Sequence, residues 1–401
     1  MVDRTDVLIV GAGPAGLAAA IVLARNELQV TVCERSTLPR DKACGEGIMP
    51  TGVDHLKSLG AYQHLDPAGC YTLAGIRFHS SAGNQAAGRF REGPGLGVRR
   101  TNLSDALRKR ADELPGITII ENSRIGDIQE LPDGFQVCVG GCHIHARLVA
   151  GADGLRSMVR RWARLEGPTQ RLRRFGGRQH FRIAPWSPFV EVYQGQGIEA
   201  YVTPCANDQV GVAFLWDPPI MGQCGDRQNR LLRLLDNFCE LRQRLNGVAC
   251  CSTFRASGPL HRVATGRCRT GVILIGDAGG YLDACTGEGI SLALAQALLL
   301  ERTVVPQLKG NSNMPTRKEL SDFEGGCKRI SRPYLIGTKF QLFLCRHPKV
   351  ADRFVRSVSR NEDIMSRYIS AMMGTAKFWP GSRPVFRLLR AFCRPPSGSK
   401  T

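Results

Sequence analysis

Three glycines near the start of the chain have the spacing that a dinucleotide-binding turn requires. Gly11, Gly13 and Gly16 occur in the sequence GAGPAG, which follows the apolar stretch DVLIV and precedes a helical pattern over residues 17–25. In such a turn the first glycine permits a tight bend, the second lets the backbone approach a pyrophosphate, and the third lets the helix pack closely on the strand. The start of the helix presents unpaired N–H groups to the phosphates. The spacing therefore predicts a bound dinucleotide.

An acidic residue indicates which kind of dinucleotide this turn would take. Glu34 ends a second predicted strand, residues 29–34, and lies 23 positions after Gly11. A carboxylate at this place can accept hydrogen bonds from both ribose hydroxyls. It favours a free 2′-hydroxyl over a 2′-phosphate, so the predicted nucleotide is of the FAD or NAD type.

Two later glycine motifs and a change of pattern place this turn in a larger α/β fold. GADGLRS covers residues 151–157, and GDAGG at 276–280 is followed by TGEGI at 286–290. Between these motifs, stretches within residues 175–216 alternate like strands of an antiparallel sheet, and residues 227–245 predict one amphipathic helix. We therefore expect a nucleotide-binding fold that a β-rich insert interrupts. Later helices are predicted at residues 340–345, 350–358, 364–373 and 385–393.

The three glycine motifs in this order resemble the FAD-dependent aromatic hydroxylase superfamily of the p-hydroxybenzoate hydroxylase type, over residues 4–305. Within it, PRDKACGEGIMP and ACTGEGI are most similar to the geranylgeranyl reductase group. The resemblance implies a Rossmann-like FAD-binding domain (GR2-type), an antiparallel β-sheet substrate domain and a helical basic C-terminal region. The expected bounds are 1–170 for the FAD-binding domain with inserted strands, 171–262 for the substrate domain, 263–310 for completion of the FAD-binding domain, and 311–401 for the C-terminal region.

The same resemblance implies FAD as the cofactor and assigns its contacts. In the family the fingerprint glycines and the acid bind the ADP half, a Cys-Gly pair lies beside the flavin ring, and an arginine before a helix contacts FAD. The aspartate of the late Gly-Asp motif binds the ribitol and pyrophosphate region, and the glycines after it approach the ring. The cofactor-binding residues so implied are Gly11, Gly13, Ala15, Gly16, Glu34, Arg35, Cys44, Gly45, Gly47, Arg100, Ile125, Asp153, Gly276, Asp277, Gly287, Gly289 and Ile290.

Two residues are candidates for the chemistry on a substrate. In a reductase, reduced FAD passes a hydride to one carbon of a C=C bond and an acid protonates the other. Cys44 is the first candidate for that acid and Tyr201 the second. The alternative for Cys44 is a small residue that lets the backbone approach the flavin ring. The alternative for Tyr201 is an aromatic residue of the core. Two weaker acid candidates are Glu46 and Glu288, and the second equally compensates a helix dipole.

A monooxygenase is the open alternative, acting through a flavin C4a-hydroperoxide on an aromatic or lipid-like substrate. Geranylgeranyl reductases carry a Tyr-x-Trp-x-Phe-Pro strand, whereas this chain has EAYVTP at 199–204, with Tyr201 for Trp and Thr203 for Phe. The Trp-x-Trp-x-Ile-Pro signature of halogenases is absent. A third hypothesis is an electron carrier or interaction module without a substrate cavity. We expect a reductase of a lipophilic prenyl or polyketide-like substrate.

The chain holds a single GxGxxG fingerprint, which bears on the source of electrons. Enzymes that hold both FAD and NAD(P)H tightly in separate Rossmann domains need two such fingerprints. We therefore expect NAD(P)H to visit transiently, or another reductant to reduce the flavin.

Charge is concentrated at the C-terminal end. The chain has 54 Lys+Arg and 35 Asp+Glu, a net charge of +19, and residues 331–401 contribute 14 basic and 3 acidic residues. Residues 385–393 interleave apolar and arginine residues, as an interfacial helix does. We expect peripheral membrane contact there, or contact with an acidic carrier protein that bears the substrate. The alternative is a helix packed on the domain. No nucleic-acid-binding motif accompanies the charge.

The cysteines and histidines predict neither a disulfide scaffold nor a metal site. The 15 cysteines include no CxxC pair, and His79, His143, His145 and His180 lack metal-ligand spacing. Charged residues at positions 3, 4 and 6 stand where a secretion signal needs its apolar core. The sequence has no run of about 18 uncharged apolar residues, so it predicts no membrane span. We expect a reducing, cytoplasmic compartment, with membrane association through the C-terminal region.

Overall fold

The computed structural model describes residues 4–168, 174–221, 227–310 and 313–376. Its main sheet has eight strands. Six run in the order β17 (Cys268–Arg269), β18 (Val272–Leu274), β11 (Cys142–Gly151), β1 (Arg4–Val10), β2 (Val30–Cys33) and β8 (Ile117–Ile120), and β10 (Gly134–Val139) joins β11 to β9 (Ile125–Leu131). The pairs from β18 through β8 are parallel, so their carboxyl ends meet at one edge.

Helices cover this sheet on the faces that its apolar strands present. They are α1 (Pro14–Arg25), α2 (Pro50–Leu59), α3 (Arg100–Asp112), α4 (Met158–Trp162), α8 (Gly289–Thr303) and α9 (Val305–Gly310), with short 3-10 turns at Tyr62–His64, Pro67–Gly69 and Gly276–Gly279. Strand β1 is buried from Val7 to Val10, as expected for a central parallel strand covered on both faces. Helix α8 packs against α1 and α2. The α/β fold expected from the sequence is confirmed.

A second sheet of seven strands lies beside the first. Its order is β16 (Arg255–Ser257), β12 (Phe175–Phe181), β15 (Gln209–Trp216), β14 (Ile198–Ala206), β13 (Phe189–Gln194), β5 (Gly75–His79) and β6 (Gln85–Arg89). All neighbours are antiparallel except β13 and β5, which are parallel. Two strands of the second sheet therefore come from early in the chain. A small third sheet joins β3 (Gly47–Ile48), β7 (Gly95–Val98) and β4 (Cys70–Leu73).

The amphipathic helix predicted over 227–245 is wrong in one respect, because the structure breaks it in two. The parts are α6 (Arg227–Leu235) and α7 (Cys239–Leu245), which follow α5 (Pro218–Met221). Phe238 stands between them with an extended backbone and packs its ring against Tyr193 and Phe214. The break lets both short helices turn apolar side chains toward the second sheet. Apolar periodicity alone does not reveal such a break.

The C-terminal region is helical, as expected. It consists of α10 (Ser321–Arg346), α11 (Pro348–Val358) and α12 (Glu362–Met372). Phe340, Phe354 and Tyr368 bring one aromatic ring from each helix together, with centroids 5.3 to 5.8 Å apart. Helix α12 packs on β6, which ties this region to the second sheet. The interfacial helix predicted at 385–393 lies outside the described residues.

One helical stretch of the described residues, Gly289–Gly310, is long and apolar enough to cross a membrane. It comprises α8 and α9, and more than half of its most apolar part is buried inside the molecule. Because α8 packs on α1 and α2, it has the surroundings of a core helix.

Candidate active site

The glycine turn after β1 has the geometry that close approach requires. Gly11 has a φ of +103°, and a Cβ there would lie 2.7 Å from the carbonyl oxygen of Ala152. A Cβ on Gly16 would lie 1.9 Å from the carbonyl oxygen of Gly11. Gly13 caps α1 without a side chain, so the first N–H groups of the helix are open to a ligand.

Glu34 is fixed at the end of β2 by its neighbours. Its side chain is 2% exposed, and Oε2 accepts a hydrogen bond of 3.0 Å from the N–H of Ala12. Oε1 accepts hydrogen bonds from the N–H of Ser36 and from the guanidinium of Arg40, both at 3.1 Å. The carboxylate is therefore a hydrogen-bond acceptor held in a fixed orientation next to the glycine turn, as ribose recognition requires.

Two adjoining cavities lie at the carboxyl edge of the main sheet. The first, of about 350 Å³, we call the outer cavity; the second, of about 230 Å³, extends to the second sheet and we call it the inner cavity. The two share lining residues at Gly13, Lys42, Arg100 and Gly154. Together they form an elongated site, which suits a dinucleotide with one end against each sheet.

Nearly all the residues that the resemblance assigns to FAD binding line these two cavities in the structure. The outer cavity is lined by Gly11, Gly13, Glu34, Arg35, Arg100, Ile125 and Asp153. The inner cavity is lined by Gly13, Ala15, Cys44, Gly45, Gly47, Arg100, Tyr201, Gly276, Asp277, Gly287, Gly289 and Ile290. Gly16 lies beneath the turn, where it lets α1 pack on the strand.

Asp153 also has a structural role. Its Oδ2 accepts a hydrogen bond of 2.6 Å from the N–H of Met158, at the start of α4. It therefore satisfies an N–H group in the first turn of α4, whose N-cap residue is Ser157.

Positive charge meets the helix N-terminus where the two cavities join. The Arg100 guanidinium lies 3.7 Å from the position that a Cβ of Gly13 would take. Within the described residues the guanidinium makes no hydrogen bond. Burial lowers the pKa of Arg100. The ammonium of Lys42 is 4.0 Å from the carboxylate of Asp277. A half-buried guanidinium without a hydrogen-bond partner among the described residues, beside open helix N–H groups, fits a pyrophosphate.

The far part of the inner cavity is apolar. Its walls come from the second sheet and from helices, and they include Met49, Ile76, Phe78, Val190, Val192, Leu215, Leu260 and Met372. Met372 ends α12, so the C-terminal region closes one side of the cavity. The cavity can therefore hold a lipophilic molecule against the part of the site near Cys44.

Tyr201 and Thr203 use their hydroxyl groups to hold the walls of this cavity. The Tyr201 hydroxyl donates to the carbonyl oxygen of Cys285 at 3.0 Å, and burial raises the pKa of Tyr201 well above its ordinary value. Thr203 donates to the carbonyl oxygen of Gly45 at 2.8 Å. The threonine that departs from the reductase pattern thus ties the Cys44–Gly45 segment to β14.

A buried polar cluster behind this segment was not found by sequence reasoning as a unit. Glu46 is 2% exposed, and its φ of +60° is unusual for a side chain with a Cβ. Its Oε1 accepts from the N–H of Arg100 at 2.8 Å and lies 3.4 Å from Nη2 of Arg178. Its Oε2 lies 2.5 Å from Nε2 of His180 and 3.7 Å from Sγ of Cys205. Glu46 therefore joins the cofactor segment, α3 and the second sheet.

Arg178 fixes the tautomer of His180. The guanidinium Nη1 is 2.9 Å from Nδ1 of the imidazole. A guanidinium can only donate, so Nδ1 accepts and Nε2 carries the proton that it donates to Glu46. Arg178 is compensated by Asp41, whose carboxylate lies 2.5 Å away, and the positive charges of Arg178 and Arg255 lower the pKa of Asp41.

The ligand atoms of Glu46, His180 and Cys205 lie within 4.8 Å of one another, close enough to hold a metal ion. The guanidinium of Arg178 already interacts with both Glu46 and His180. Its positive charge opposes a cation at this place. The cluster is therefore better described as a hydrogen-bonded network than as a metal centre.

Glu288 is the N-cap residue of α8, between two glycines that line the inner cavity. Burial raises the pKa of Glu288 from 4.5 to about 8. Between these values the folded protein binds more protons than the unfolded chain, so this group's stabilisation is complete below pH 4.5 and is lost as the pH rises through 8.

We predict that Glu288→Gln removes this dependence. In urea unfolding between pH 5 and pH 8, the free energy of unfolding of the FAD-loaded protein should fall with pH by about 1.4 kcal/mol per unit more steeply than that of the variant. Glu301→Gln, at an exposed position of the same helix, is the control and should keep the wild-type slope. Equal slopes for wild type and Glu288→Gln would contradict the prediction.

The parallel sheet, the glycine turn, the buried acid and the two-part cavity are the features of a flavoprotein oxidoreductase. The chain belongs to the FAD binding domain family, whose model matches residues 4–315. Membership of this family identifies FAD as the cofactor.

The relatives that the chain matches include both reductases and monooxygenases. It is 28% identical over 319 residues to menaquinone reductase of Mycobacterium tuberculosis, covering 73% of this chain and 74% of that protein. It is 27% identical to 6-methylpretetramide 4-monooxygenase of Streptomyces rimosus, with 74% of each chain covered. Digeranylgeranylglycerophospholipid reductase 2 of Methanococcoides burtonii is 25% identical, with 80% of each covered.

A solved flavoprotein/dehydrogenase from Cytophaga hutchinsonii has the same fold. Its TM-score is 0.79 at 19% identity, and the superposition covers 92% of this chain and 93% of that one. The suspected superfamily and the FAD-dependent oxidoreductase class are therefore confirmed.

Proposed function

We propose that this protein is an FAD-dependent reductase of a C=C bond in a lipophilic substrate. The observation that carries the proposal is the apolar inner cavity, which adjoins the Cys44–Gly45 segment and is walled by Ile76, Phe78 and Val192. Two relatives are named as reductases, of menaquinone and of a digeranylgeranyl phospholipid, and both names describe long apolar molecules. A cavity of this lining suits a prenyl or polyketide-like chain.

The residues of the chain would hold FAD at both ends. The backbone at Gly11 and Gly13 would take the pyrophosphate with Arg100, and Glu34 would take the ribose. Bound FAD supplies a hydride, with NAD(P)H as a transient donor or another reductant in its place. Reduction of a C=C bond also requires one proton, which the protein must deliver in the inner cavity.

Cys44 is the group proposed to deliver that proton. Burial raises the pKa of Cys44, so its thiol keeps its proton at neutral pH. Tyr201 is less suited, because its hydroxyl already donates to the carbonyl of Cys285. Tyr201 instead shapes the cavity wall next to the reacting groups.

We predict that Cys44→Ala lowers kcat by about 100-fold while FAD stays bound, since a positioned general acid contributes about 10²–10⁴-fold. Turnover under anaerobic conditions and the flavin absorbance of the purified variant check this. Cys285→Ala is the control, because Cys285 lines the same cavity without lying in the cofactor segment. Unchanged turnover in Cys44→Ala would show that the residue only makes room for the ring.

A monooxygenase is the second candidate function. It is favoured by the monooxygenase relative and by the Tyr201 and Thr203 departures from the reductase pattern. In this function the same cavity would hold an aromatic or lipid-like ring for hydroxylation.

One experiment separates the two functions. The FAD-loaded protein is photoreduced without oxygen, mixed with a menaquinone or polyprenyl lipid, and the products are weighed by mass spectrometry. A product that is heavier by two hydrogens in its prenyl chain, after any quinol has been reoxidised in air, supports the reductase. Phenolic and polyketide substrates in oxygenated buffer are the second arm, and a product heavier by one oxygen there, with none in the first arm, overturns the reductase proposal.

A further inference from the structure

Helix α10 carries an exposed apolar face. Among the described residues, five large hydrophobic side chains are exposed, and three of them lie on this helix: Leu335 at 44%, Ile336 at 45% and Phe343 at 46%. Phe343 lies seven positions after Ile336 and eight after Leu335, and residues at these spacings lie on the same side of a helix. Clustered exposed apolar side chains indicate an interaction surface, whereas single ones do not.

The same face is basic. Arg332, Lys339 and Arg346 alternate with the apolar residues at spacings of three or four positions, and all three are exposed. Within the described residues none of them has a carboxylate within 4.0 Å. Residues 325–350 contain six Lys and Arg and no Asp or Glu. The surface therefore calls for an anionic partner that also accepts apolar side chains.

The opposite face of α10 backs the inner cavity. Thr338 lies with its hydroxyl 3.3 Å from that of Thr286, a lining residue of the cavity. Leu342 packs in one cluster with Leu215 and Cys285, which line the cavity as well. A helix is about 10 Å across. The exposed face of α10 is thus one helix diameter from the chamber that would hold the substrate.

We propose that the exposed face of α10, formed by Arg332, Leu335, Ile336, Lys339, Phe343 and Arg346, docks on an anionic lipid bilayer. Large apolar residues interleaved with basic ones are the composition of a helix lying in a membrane interface. The bilayer is also where an apolar substrate is dissolved, and in this respect the inference rests on the proposed function. An acidic protein surface would match the charges and leave the apolar residues unmatched.

The remainder of the chain does not complement this face in charge. Residues 377–401 contain six Lys and Arg and no Asp or Glu. Their charge has the same sign as that of the exposed α10 face, so charge complementarity favours anionic lipid as the partner of this face over that segment or a second copy of it.

Sedimentation of the full-length, FAD-loaded protein with vesicles tests the proposal. We expect binding to vesicles of phosphatidylglycerol and phosphatidylcholine, and weak binding to phosphatidylcholine alone. The triple substitution Leu335→Ser, Ile336→Ser and Phe343→Ser should lower the partition coefficient at least about tenfold. Leu232→Ser is the matched control, because Leu232 is exposed to 51% on α6 and should keep wild-type binding.

Charge reversal tests the electrostatic half of the surface. Lys339→Glu with Arg346→Glu should weaken binding about tenfold or more and reduce its dependence on salt. Lys318→Glu, an exposed residue before α10, is the control. All variants should retain bound flavin and turn over a detergent-dissolved substrate as the wild type does, because none of these residues lines either cavity.

Three results would overturn the docking surface: no binding of the wild type to anionic vesicles, wild-type binding by both sets of α10 variants, or loss of binding only in Phe386→Ser with Leu389→Ser. The last result would place the contact in the C-terminal residues instead. Failure of the proposed function is distinct, since it would appear as no turnover of any detergent-dissolved unsaturated lipid, whatever the vesicles show.

Discussion

A Glu46→Ala variant is expected to bind FAD at least about tenfold more weakly than the wild type and to lose about 3–5 kcal/mol of stability, the usual cost of removing one partner of a buried ion pair. The carboxylate of Glu46 holds the N–H of Arg100, and it also interacts with Arg178 and His180. A φ of +60° strains the backbone of alanine as much as that of glutamate, because both side chains have a Cβ. The variant therefore isolates the loss of the carboxylate.

The expected loss of affinity follows from what these contacts position. Glu46 directly follows the Cys44–Gly45 segment at the inner cavity, and Arg100 lies where the two cavities join. Without the carboxylate, α3 and the cofactor segment lose their common anchor to the second sheet. Glu46→Gln keeps the shape and an acceptor oxygen, so we expect an intermediate dissociation constant and a partly restored visible circular dichroism of the flavin.

Glu199→Ala is the matched control for this prediction. Glu199 is fully buried and pairs with Arg174 at 2.9 Å, yet it lines neither cavity. It should lower the unfolding temperature as Glu46→Ala does, with an unchanged FAD dissociation constant. If both variants weaken FAD equally, Glu46 has a general structural role and no specific one in positioning the cofactor.

Arg100→Met is expected to weaken FAD binding by about 10- to 100-fold, because a hydrogen bond to a charged group is worth about 1.5–3 kcal/mol. The guanidinium is half-buried at the junction of the cavities, without a hydrogen-bond partner in the described part of the chain. Fluorescence titration of the apoprotein with FAD at low and high salt measures the effect. The variant should also show a smaller loss of affinity with added salt.

Arg110→Met, on the same helix, provides the control. Arg110 pairs with Glu113 at 2.7 Å, away from both cavities, and its removal should leave FAD binding unchanged. A dissociation constant of Arg100→Met equal to that of the wild type would mean that the pyrophosphate does not lie at the junction.

The parts of the site that sequence reasoning located share a local cause. Gly11 must adopt a φ of +103°, and Gly16 must let a helix approach a carbonyl oxygen. Each requirement depends only on the type of one residue and of its near neighbours in the sequence. Glu34 is readable for the same reason, since it ends a strand at a fixed distance from the turn. Such residues can be assigned before any tertiary contact is known.

The buried network around Glu46 could not be found in that way. Its members, Glu46, Arg178, His180 and Cys205, come from a loop and two strands of another sheet, and their order in the chain carries no spacing signal. The length of α10 was missed for a related reason. Gly325, Gly326 and Pro333 disfavour a helix locally, but packing of the buried face outweighs that preference.

The parallel pairing of β5 with β13 has a consequence for how the chain is made. On the ribosome, β5 and β6 emerge as an isolated hairpin, which is marginally stable in water. Their partner edge, with Phe189 opposite Gly75, is synthesised far later. Until then the nascent chain exposes an unpaired strand edge, a recognised starting point for aggregation. Expression of fragments that end before β13 should therefore yield insoluble protein. Chimeras that exchange the second sheet must carry residues 75–89 with it.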